Sequence, residues 1–330
     1  MYTWYNKSVI CYAFLEDVGA PAPRVSRQEF KNSRWFTRGW TLQELLAPKK
    51  VEFYSQGWVA FGDRTGLADF ITDITGIERR FLLVDQSLAS AAKKMSWAAH
   101  RQTSRTEDIA YCLMGLFDVN MPLLYGEGEK AFIRLQEEIS KVTGDNSLFA
   151  WGQPYELGPH LDPPRRSNRW ARGSRRDDNT SYDSFDEELI FSDEDVYGLF
   201  ADHPRDFRNS GNVDMLINFQ GLGIPPVLYG KGVRIGLPII PGNFTEKEMK
   251  RIPWLRKASV ALLASRIDGD NSRYVALLLR PWGKRFYGRA TNPIIIKSTR
   301  EMRDAGELEK LVQNVVIKKP DMIEVTPPED

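Results

Sequence analysis

A break in composition divides this chain of 330 residues into two segments that can each form a folded unit. Residues 152–196 are rich in proline and glycine, and they hold a run of arginines followed by a run of acidic residues. Such a composition is typical of a linker that stays outside any core. We therefore predict an α/β unit over residues 1–151, a charged disordered linker over 152–196, and a smaller, mostly antiparallel β-rich unit over 197–330.

The overall composition narrows the class of protein. A hydrophobic share of 42% and a charged share of 27% are ordinary for a globular protein. The formal net charge of +1 gives no general attraction to nucleic acid or to an anionic membrane. No apolar run approaches the roughly 20 residues that a membrane-spanning helix needs, and the N-terminus lacks the apolar core of a signal peptide. We expect a cytoplasmic protein with no membrane contact.

The arginine-rich part of the linker is the one candidate for a nucleic-acid contact. It holds six arginines between Arg165 and Arg176, but only Trp170 lies among them as an aromatic that could stack on bases. An acidic stretch follows and can neutralise the arginines within the chain. We favour a solvated, self-compensating loop and keep phosphate binding as the weaker alternative.

Cysteine and histidine usage argues against a metal site. Cys11 and Cys112 each lie in an apolar stretch, where a small buried thiol is the usual interpretation. The histidines, His100, His160 and His203, lack the spacing of metal ligands. We therefore predict neither a disulfide framework nor a bound metal.

Hydrophobic periodicity predicts different secondary structure in the two units. In the first unit we predict strands at 9–15, 51–54 and 147–151 and amphipathic helices at 107–117 and 129–142. In the second unit the runs are shorter and more typical of strands, at 215–219, 233–240, 260–265, 274–279 and 293–297. The runs at 260–265 and 274–279 are predicted to form a β-hairpin with a loop longer than two residues.

Common catalytic and nucleotide-binding motifs are incomplete in this sequence. Gly126-Glu127-Gly128 and Gly221-Leu222-Gly223 lack the remainder of a phosphate-binding fingerprint and are predicted to be turns. Ser96 and His100 have helical spacing, but the sequence fixes no acid beside them, and no Gly-x-Ser-x-Gly elbow occurs. A hydrolase triad is therefore not expected.

Glu44 is the best candidate for chemistry, and Trp40 is its candidate supporting residue. The run 41–47 consists mostly of good helix formers, so Glu44 follows Trp40 by one helical turn and lies on the same face. A carboxyl group held against an aromatic ring and partly removed from water is one route to a catalytic acid or base. On spacing alone, a surface glutamate paired with Arg38 or Lys50 is the favoured alternative.

Three motifs in order strongly resemble the heterokaryon-incompatibility (HET) domain family of fungi. They are Arg38-Gly39-Trp40-Thr41-Leu42-Gln43-Glu44-Leu45, Arg105-Thr106-Glu107-Asp108-Ile109-Ala110-Tyr111-Cys112-Leu113 and Met121-Pro122-Leu123-Leu124-Tyr125-Gly126-Glu127-Gly128. The resemblance runs from residue 1 to about 151. The segment that begins at Gly198-Leu199-Phe200-Ala201 resembles the β-rich region, of unassigned function, that often follows a HET domain.

The resemblance implies a role in fungal non-self recognition, in which incompatible cell fusion triggers programmed cell death. It implies action through protein partners or self-association, and no cofactor. HET domains are also regarded as distant relatives of Toll/interleukin-1 receptor (TIR) domains, some of which cleave NAD with one glutamate that follows a tryptophan. Trp40-Thr41-Leu42-Gln43-Glu44 is similar to that pattern, so the resemblance implies a TIR-like fold and, as an alternative function, NAD glycohydrolysis by Glu44.

The family pattern also includes segments that this sequence does not contain. The family begins upstream with a strand carrying a Ser-His-Thr-Trp-Gly-like sequence and a second carrying an Asp-Thr-Cys-Cys-Ile-Asp-like sequence. Neither is present here. The resemblance therefore predicts a TIR-like unit that is incomplete at its N-terminus and that lacks part of a nucleotide pocket.

Overall fold

The computed structural model of the chain describes most of the first predicted unit and much of the second. The described residues are 1–19, 27–152, 155–156, 198–215, 227–229, 232–241, 256–269, 273–282, 286–289, 294–297 and 312–318. The predicted linker falls largely outside them, as do the second Gly-x-Gly turn, His160 and the C-terminal residues after 318.

Helices surround a small sheet in the first 152 residues. The α-helices are α1 (Tyr2–Lys7), α2 (Arg27–Asn32), α3 (Thr41–Leu46), α4 (Ala68–Thr75), α5 (Arg79–Leu83), α6 (Ala91–Ala98), α7 (Asp108–Tyr111) and α8 (Lys130–Val142). Single turns of 3-10 helix lie at Arg34–Thr37, Gln86–Leu88 and Asn146–Phe149, and another follows at Pro204–Phe207. The apolar face of α8, with Phe132, Leu135 and Ile139, is fully buried, as its periodicity predicts.

The small sheet has the strand order β1-β2-β3, with β1 at Cys11–Phe14, β2 at Val51–Tyr54 and β3 at Ala60–Asp63. β1 and β2 are parallel, and β3 is antiparallel to β2. Alternation along the strands directs Ala13 and Phe53 into the core and leaves Tyr12 exposed. The prediction of a mixed α/β unit is confirmed.

Beyond residue 152, the described residues form a sheet of nine strands. They are β4 (Tyr155–Glu156), β5 (Val213–Met215), β6 (Val227–Tyr229), β7 (Gly232–Pro241), β8 (Ser259–Ile267), β9 (Arg273–Trp282), β10 (Phe286–Arg289), β11 (Ile294–Lys297) and β12 (Val312–Lys318). The pairings β7–β8, β8–β9, β9–β10, β10–β12 and β12–β7 close on themselves, so five of the strands form a ring. Most pairs are antiparallel, and the predicted hairpin is confirmed by the β8–β9 register.

Three sequence expectations need correction. The predicted strand at 147–151 is the 3-10 helix Asn146–Phe149, because the Asp145 carboxylate caps it by accepting from the backbone N–H of Ser147. The predicted helix at 107–117 is regular only at Asp108–Tyr111 and continues as turns. Tyr155–Glu156, inside the predicted linker, pairs with β11 as a strand.

One hydrophobic core extends across both predicted units. The side-chain amide of Gln136 on α8 donates to the carbonyl of Ala201, and its carbonyl accepts from the N–H of Ala201. The buried guanidinium of Arg289 donates to the carbonyl of Trp151 at 2.6 Å and lies 3.7 Å from the centre of its ring. The residues before 152 and those after 198 therefore pack as neighbours.

A buried ion cluster adds to this contact. The side chain of Lys93 on α6 is 1% exposed, and its Nζ lies 2.7 Å from Glu78, 2.8 Å from Asp268 and 3.2 Å from Asp214. Burial alone would lower the pKa of Lys93, but hydrogen bonds to Asp268 and Glu78 outweigh it and raise that pKa. The charge pairs join α6 to β5 and to the turn between β8 and β9.

Within the part of the chain that the structure describes, no helix is both long and apolar enough to cross a bilayer.

Candidate functional site

A cavity of about 320 Å³ opens beside β1 and the N-terminal half of α3. It lies where three segments that are distant in sequence meet: β1 with the residues after it, the 3-10 helix Arg34–Thr37, and α3. Its lining is aromatic and charged, and consists of Tyr12, Phe14, Glu16, Asp17, Arg34, Trp35, Arg38, Thr41 and Glu44. The volume is at the lower end of small-molecule pockets.

Helix α3 brings Glu44 to the cavity because its other faces are buried. Leu42 and Leu45 pack into the core, and the side-chain amide of Gln43 donates to the carbonyl of Cys112 at 2.5 Å. The hydroxyl of Thr41 donates to the carbonyl of Trp35 at 2.5 Å and lies 2.9 Å from that of Arg38, which fixes the first turn. Glu44 is left on the half-buried face that lines the cavity.

Glu44 has a hydrogen-bond partner that its sequence neighbours do not reveal. Its Oε1 accepts from the phenol of Tyr5 at 3.1 Å. Burial, followed by the charge of Glu44, raises the pKa of Tyr5 to about 12, so the phenol remains a donor near neutral pH. Of the alternative partners, Lys50 pairs with Glu52 at 2.7 Å, and Arg38 lines the same cavity.

The indole at this cavity is Trp35, and Trp40 is not among the residues that line it. Trp40 is half-buried and packs against the edge of the core. Trp35 reaches the cavity from the 3-10 helix, whose cap is Ser33: the backbone N–H of Trp35 donates to the Ser33 hydroxyl. A serine before an aromatic run is a cap signal that sequence reasoning could have used.

Arg34 and Asp17 form the charged rim of the cavity. The Arg34 guanidinium lies 2.6 Å from Glu16, and its backbone N–H donates to Asp17 at 2.7 Å. Burial alone would raise the pKa of Asp17, but the bonds from Arg34 and from the Ser33 hydroxyl outweigh it and hold that pKa below its ordinary value. The carboxylates of Glu16 and Asp17 therefore have partners, whereas among the described residues Glu44 accepts one hydrogen bond, from Tyr5.

A buried positive charge lies behind the cavity wall. Arg101 is 3% exposed, and its Nη1 donates to the carbonyl of Arg38 at 2.8 Å and to the hydroxyl of Thr41 at 2.9 Å. Burial lowers the pKa of Arg101 to about 10, and Glu44 contributes in the opposite direction. Its Nη2 has no partner among the residues that the structure describes. The guanidinium thus positions two residues that line the cavity.

The other candidate nucleophiles and ligands have structural roles. Cys11 and Cys112 are buried, and burial raises their pKa values to about 11 and about 12, so neither thiol ionises near neutral pH. The hydroxyl of Ser96 donates to the carbonyl of Lys93 rather than to a histidine. Across the described ranges, no cluster of three metal-ligating side chains occurs.

The first Gly-x-Gly segment is a turn, as expected, and it encloses a carboxylate of the protein itself. Oε1 of Glu107 accepts from the backbone N–H of Gly126 at 2.7 Å and from that of Gly128 at 3.1 Å. Both glycines have positive φ, which directs their N–H groups to one point. The turn therefore binds Glu107, and its geometry gives no sign of a phosphate.

Comparisons with known proteins agree with parts of the motif-based resemblance. Over 151 residues the chain is 45% identical to the vegetative incompatibility protein HET-E-1 of Podospora anserina, a stretch that covers 44% of this chain and 11% of that protein. Residues 130–241 match a family described as a domain of unknown function, DUF8212. No solved structure matches the chain. The DUF8212 match includes α8 as well as β5 to β7, and so it extends across the predicted linker.

Proposed function

We propose that this chain is a signalling module of fungal vegetative incompatibility, which triggers programmed cell death by association with protein partners or with itself. The observation that carries the proposal is the 45% identity to HET-E-1, whose name states a role in vegetative incompatibility. The HET-like motifs at 38–45, 105–113 and 121–128 support it. The similarity spans a tenth of that protein's length, so the activity of the whole relative is not carried over.

The surface of the small sheet supports association. Tyr12 on β1 is 56% exposed, and Trp58 in the turn between β2 and β3 is 63% exposed. The ring of Trp58 stacks on Phe14 with centroids 4.6 Å apart. Exposed aromatic groups that contact one another are typical of surfaces that bind other proteins.

Induced expression in a filamentous fungus tests this proposal. We expect the wild-type chain to stop growth and to admit a vital dye into expressing compartments within hours of induction. The control is Lys93→Met, which removes the lysine of the buried cluster and should destabilise the fold without touching the cavity. The proposal would be contradicted if cells that accumulate folded wild-type protein grew as well as cells that carry the empty promoter.

A second candidate function is NAD glycohydrolysis by a TIR-like unit, and the cavity at Glu44 is the observation that favours it. The reaction adds water across the bond between nicotinamide and ribose, and it yields nicotinamide, ADP-ribose and a proton. One carboxylate can stabilise the oxocarbenium-like centre that forms when this bond breaks. In this proposal Glu44 has that role, Arg38 contacts the phosphates, and Trp35 packs against the nicotinamide.

The parallel β1–β2 pairing is compatible with a TIR-like sheet, which is the finer fold assignment of this second proposal. The bond from Tyr5 and the buried charge of Arg101 would hold the Glu44 carboxylate in place without a metal. Both supports belong to this chain and can be tested without substrate.

Nicotinamide release from NAD, followed by chromatography, tests the enzymatic candidate. We expect Glu44→Gln to lower the rate by on the order of 100-fold or more, whereas Glu138→Gln on α8 leaves it unchanged. Glu138 pairs with Lys141 far along the chain from the cavity and serves as the matched control. Absence of turnover in folded wild-type protein, or equal rates for wild type and Glu44→Gln, would exclude this assignment.

A further inference from the structure

Several charged groups that line the cavity at Glu44 already bind one another. The guanidinium of Arg34 lies 2.6 Å from Glu16 and 3.6 Å from Asp17. Asp17 also accepts a hydrogen bond from the hydroxyl of Ser33 at 2.7 Å. These three charges are therefore held within the protein, and a ligand must use the other charges of the lining.

Two opposite charges remain at the cavity. Arg38 is exposed, and no described residue forms an ion pair with its guanidinium. Glu44 accepts a hydrogen bond from Tyr5 through Oε1, and no described residue donates to its Oε2. The cavity therefore offers Arg38 to an anionic group and Glu44 to a cationic group.

Each aromatic ring that lines the cavity is held by a second ring that does not line it. The pairs are Tyr12 with Tyr54 at 5.3 Å between ring centroids, Phe14 with Trp58 at 4.6 Å, and Trp35 with Phe53 at 5.6 Å. The faces of aromatic rings attract organic cations. Because these rings are already fixed by their partners, little conformational freedom is lost when a cation packs against them.

The backbone of Trp58 is strained. Its φ is +57°, in the turn between β2 and β3, and this left-handed conformation is unfavourable for a residue that has a Cβ. The N–H of Trp58 donates to the carbonyl of Ser55 at 2.9 Å and closes the turn. Strained residues are concentrated at functional sites. Here the strained residue places its ring against Phe14, which lines the cavity.

The charges of the site balance one another. The three carboxylates of the lining are matched by Arg34 and Arg38 in the lining and by Arg101, which is buried behind the wall. A ligand that is neutral overall preserves this balance, whereas a simple ion leaves one charge of the site without a partner. The cavity volume of about 320 Å³ is suited to a small molecule.

We propose that this cavity binds a small zwitterion, in which an organic cation carries an anionic group a few bonds away. The cation lies between Glu44 and the ring of Phe14, which Trp58 holds in place, and the anion binds Arg38. The nicotinamide mononucleotide half of NAD and free amino acids both have this chemistry. The ligand class rests on the second candidate function, which places the substrate at the same cavity. Binding is measured without turnover, so a failure to bind and a failure to cleave NAD are distinguishable.

Isothermal titration of the whole chain with truncated ligands tests both charges. We expect nicotinamide mononucleotide to bind with a dissociation constant of about 1 mM or lower. Nicotinamide riboside lacks the phosphate and reduced nicotinamide mononucleotide lacks the ring charge, so each should bind at least about tenfold more weakly. L-phenylalanine, with phenethylamine and phenylpropionate as its truncated forms, tests a free amino acid as the source of the zwitterion.

Arg38→Gln tests the site of the anion. This variant should bind nicotinamide mononucleotide at least about tenfold more weakly and should bind nicotinamide riboside as wild type does, because only the first ligand carries a phosphate. Arg79→Gln is the matched control: the Arg79 side chain is 54% exposed, pairs with Asp69 and does not line the cavity.

Trp58→Leu tests the site of the cation. It should reduce the preference for nicotinamide mononucleotide over its reduced form, because Phe14 loses the ring that holds it. A purely structural role of Trp58 would weaken both ligands equally. Trp4→Leu, at a tryptophan that is 78% exposed and does not line the cavity, should keep the wild-type preference.

The ligand series on wild type decides the proposal even where a variant fails to fold. Binding of either zwitterion, with weaker binding of both of its truncated forms, supports it. A zwitterion that binds no better than one of its truncated forms overturns it. The absence of binding by both zwitterions, or equal effects of Arg38→Gln and Arg79→Gln, also overturns it.

Discussion

The phenol of Tyr5 donates a hydrogen bond to Glu44 across 39 positions of sequence, and together with the bond from the Asn6 amide to the carbonyl of Ala47 it anchors α1 to α3. It gives the half-buried Glu44 carboxylate a partner inside the protein. Because α1 packs against α3 through this contact, the position of Glu44 depends on the first helix as well as on its own.

Tyr5→Phe should destabilise the chain by about 0.5–1.5 kcal/mol, because the carboxylate loses its donor while the ring remains. Urea unfolding followed by circular dichroism measures the change. The control is Tyr12→Phe, which removes a hydroxyl from an exposed ring and should alter the unfolding free energy by less than about 0.5 kcal/mol. Equal effects of the two substitutions would show that the Tyr5–Glu44 bond contributes nothing measurable.

Gly39→Ala should cost about 1–3 kcal/mol of unfolding free energy, because a methyl group has no room there. A Cβ on Gly39 would lie 2.5 Å from Cγ2 of Thr103 and 3.1 Å from the sulfur of Cys112. Thermal unfolding measures the loss. Gly66→Ala is the control, since the nearest atom to its Cβ would be 3.4 Å away. A neutral Gly39→Ala would mean that the approach of α3 to residues 102–112 is looser than described.

Lys93→Met should destabilise the chain by about 1.5–3 kcal/mol, because it removes the buried cation shared by Glu78, Asp214 and Asp268, although Arg80 still pairs with the first and the last of them. Chemical denaturation measures this change. Lys94→Met is the control at the next position: burial lowers the pKa of Lys94, so loss of its charge should cost little. If both variants unfold at the same denaturant concentration as wild type, the cluster does not hold the two segments together.

Acid should destabilise the chain through His203. Burial, followed by the charge of Arg205, lowers the pKa of His203 from 6.5 to about 4. Because the pKa is lower in the folded state, the neutral His203 side chain contributes stability above pH 6.5. This contribution is lost as the pH falls toward 4. The loss should be roughly 1–2 kcal/mol after allowance for solvent screening.

His203→Asn isolates this effect, because asparagine can keep the cap on the 3-10 helix Pro204–Phe207 but does not titrate. Stability measured between pH 7 and 4 should depend less on pH in this variant than in wild type. His100→Asn, at an exposed histidine, controls for the substitution itself. If His203→Asn were as sensitive to acid as wild type, the pH dependence of stability would arise from other groups.

The sequence predicts those elements that are marked by a local signal or by a periodic pattern of apolar residues. The apolar periodicity of residues 129–142 and the apolar runs of β7, β8 and β9 each correspond to an observed element. The strand predicted at 147–151 is wrong because one side chain, Asp145, supplies a cap that hydrophobicity does not record.

The site is predicted less completely because it depends on contacts between distant residues. Glu44 was singled out and does line the cavity, but its partner Tyr5 lies 39 positions away and its indole neighbour is Trp35. The spacing of Trp40 and Glu44 fixes their relation along a helix only. This spacing does not reveal that Trp35, on the 3-10 helix before α3, is the tryptophan that lines the cavity.

The most direct test asks whether cell death requires Glu44. The result distinguishes a function through protein association from a function through catalysis. The measurement is the viable fraction of fungal cells after induction of wild type and of Glu44→Gln at equal levels of folded protein. An account based on association predicts that both proteins kill to the same extent. Survival of the cells that express Glu44→Gln, while wild type kills, would contradict it and would assign the effect to the carboxylate at the cavity.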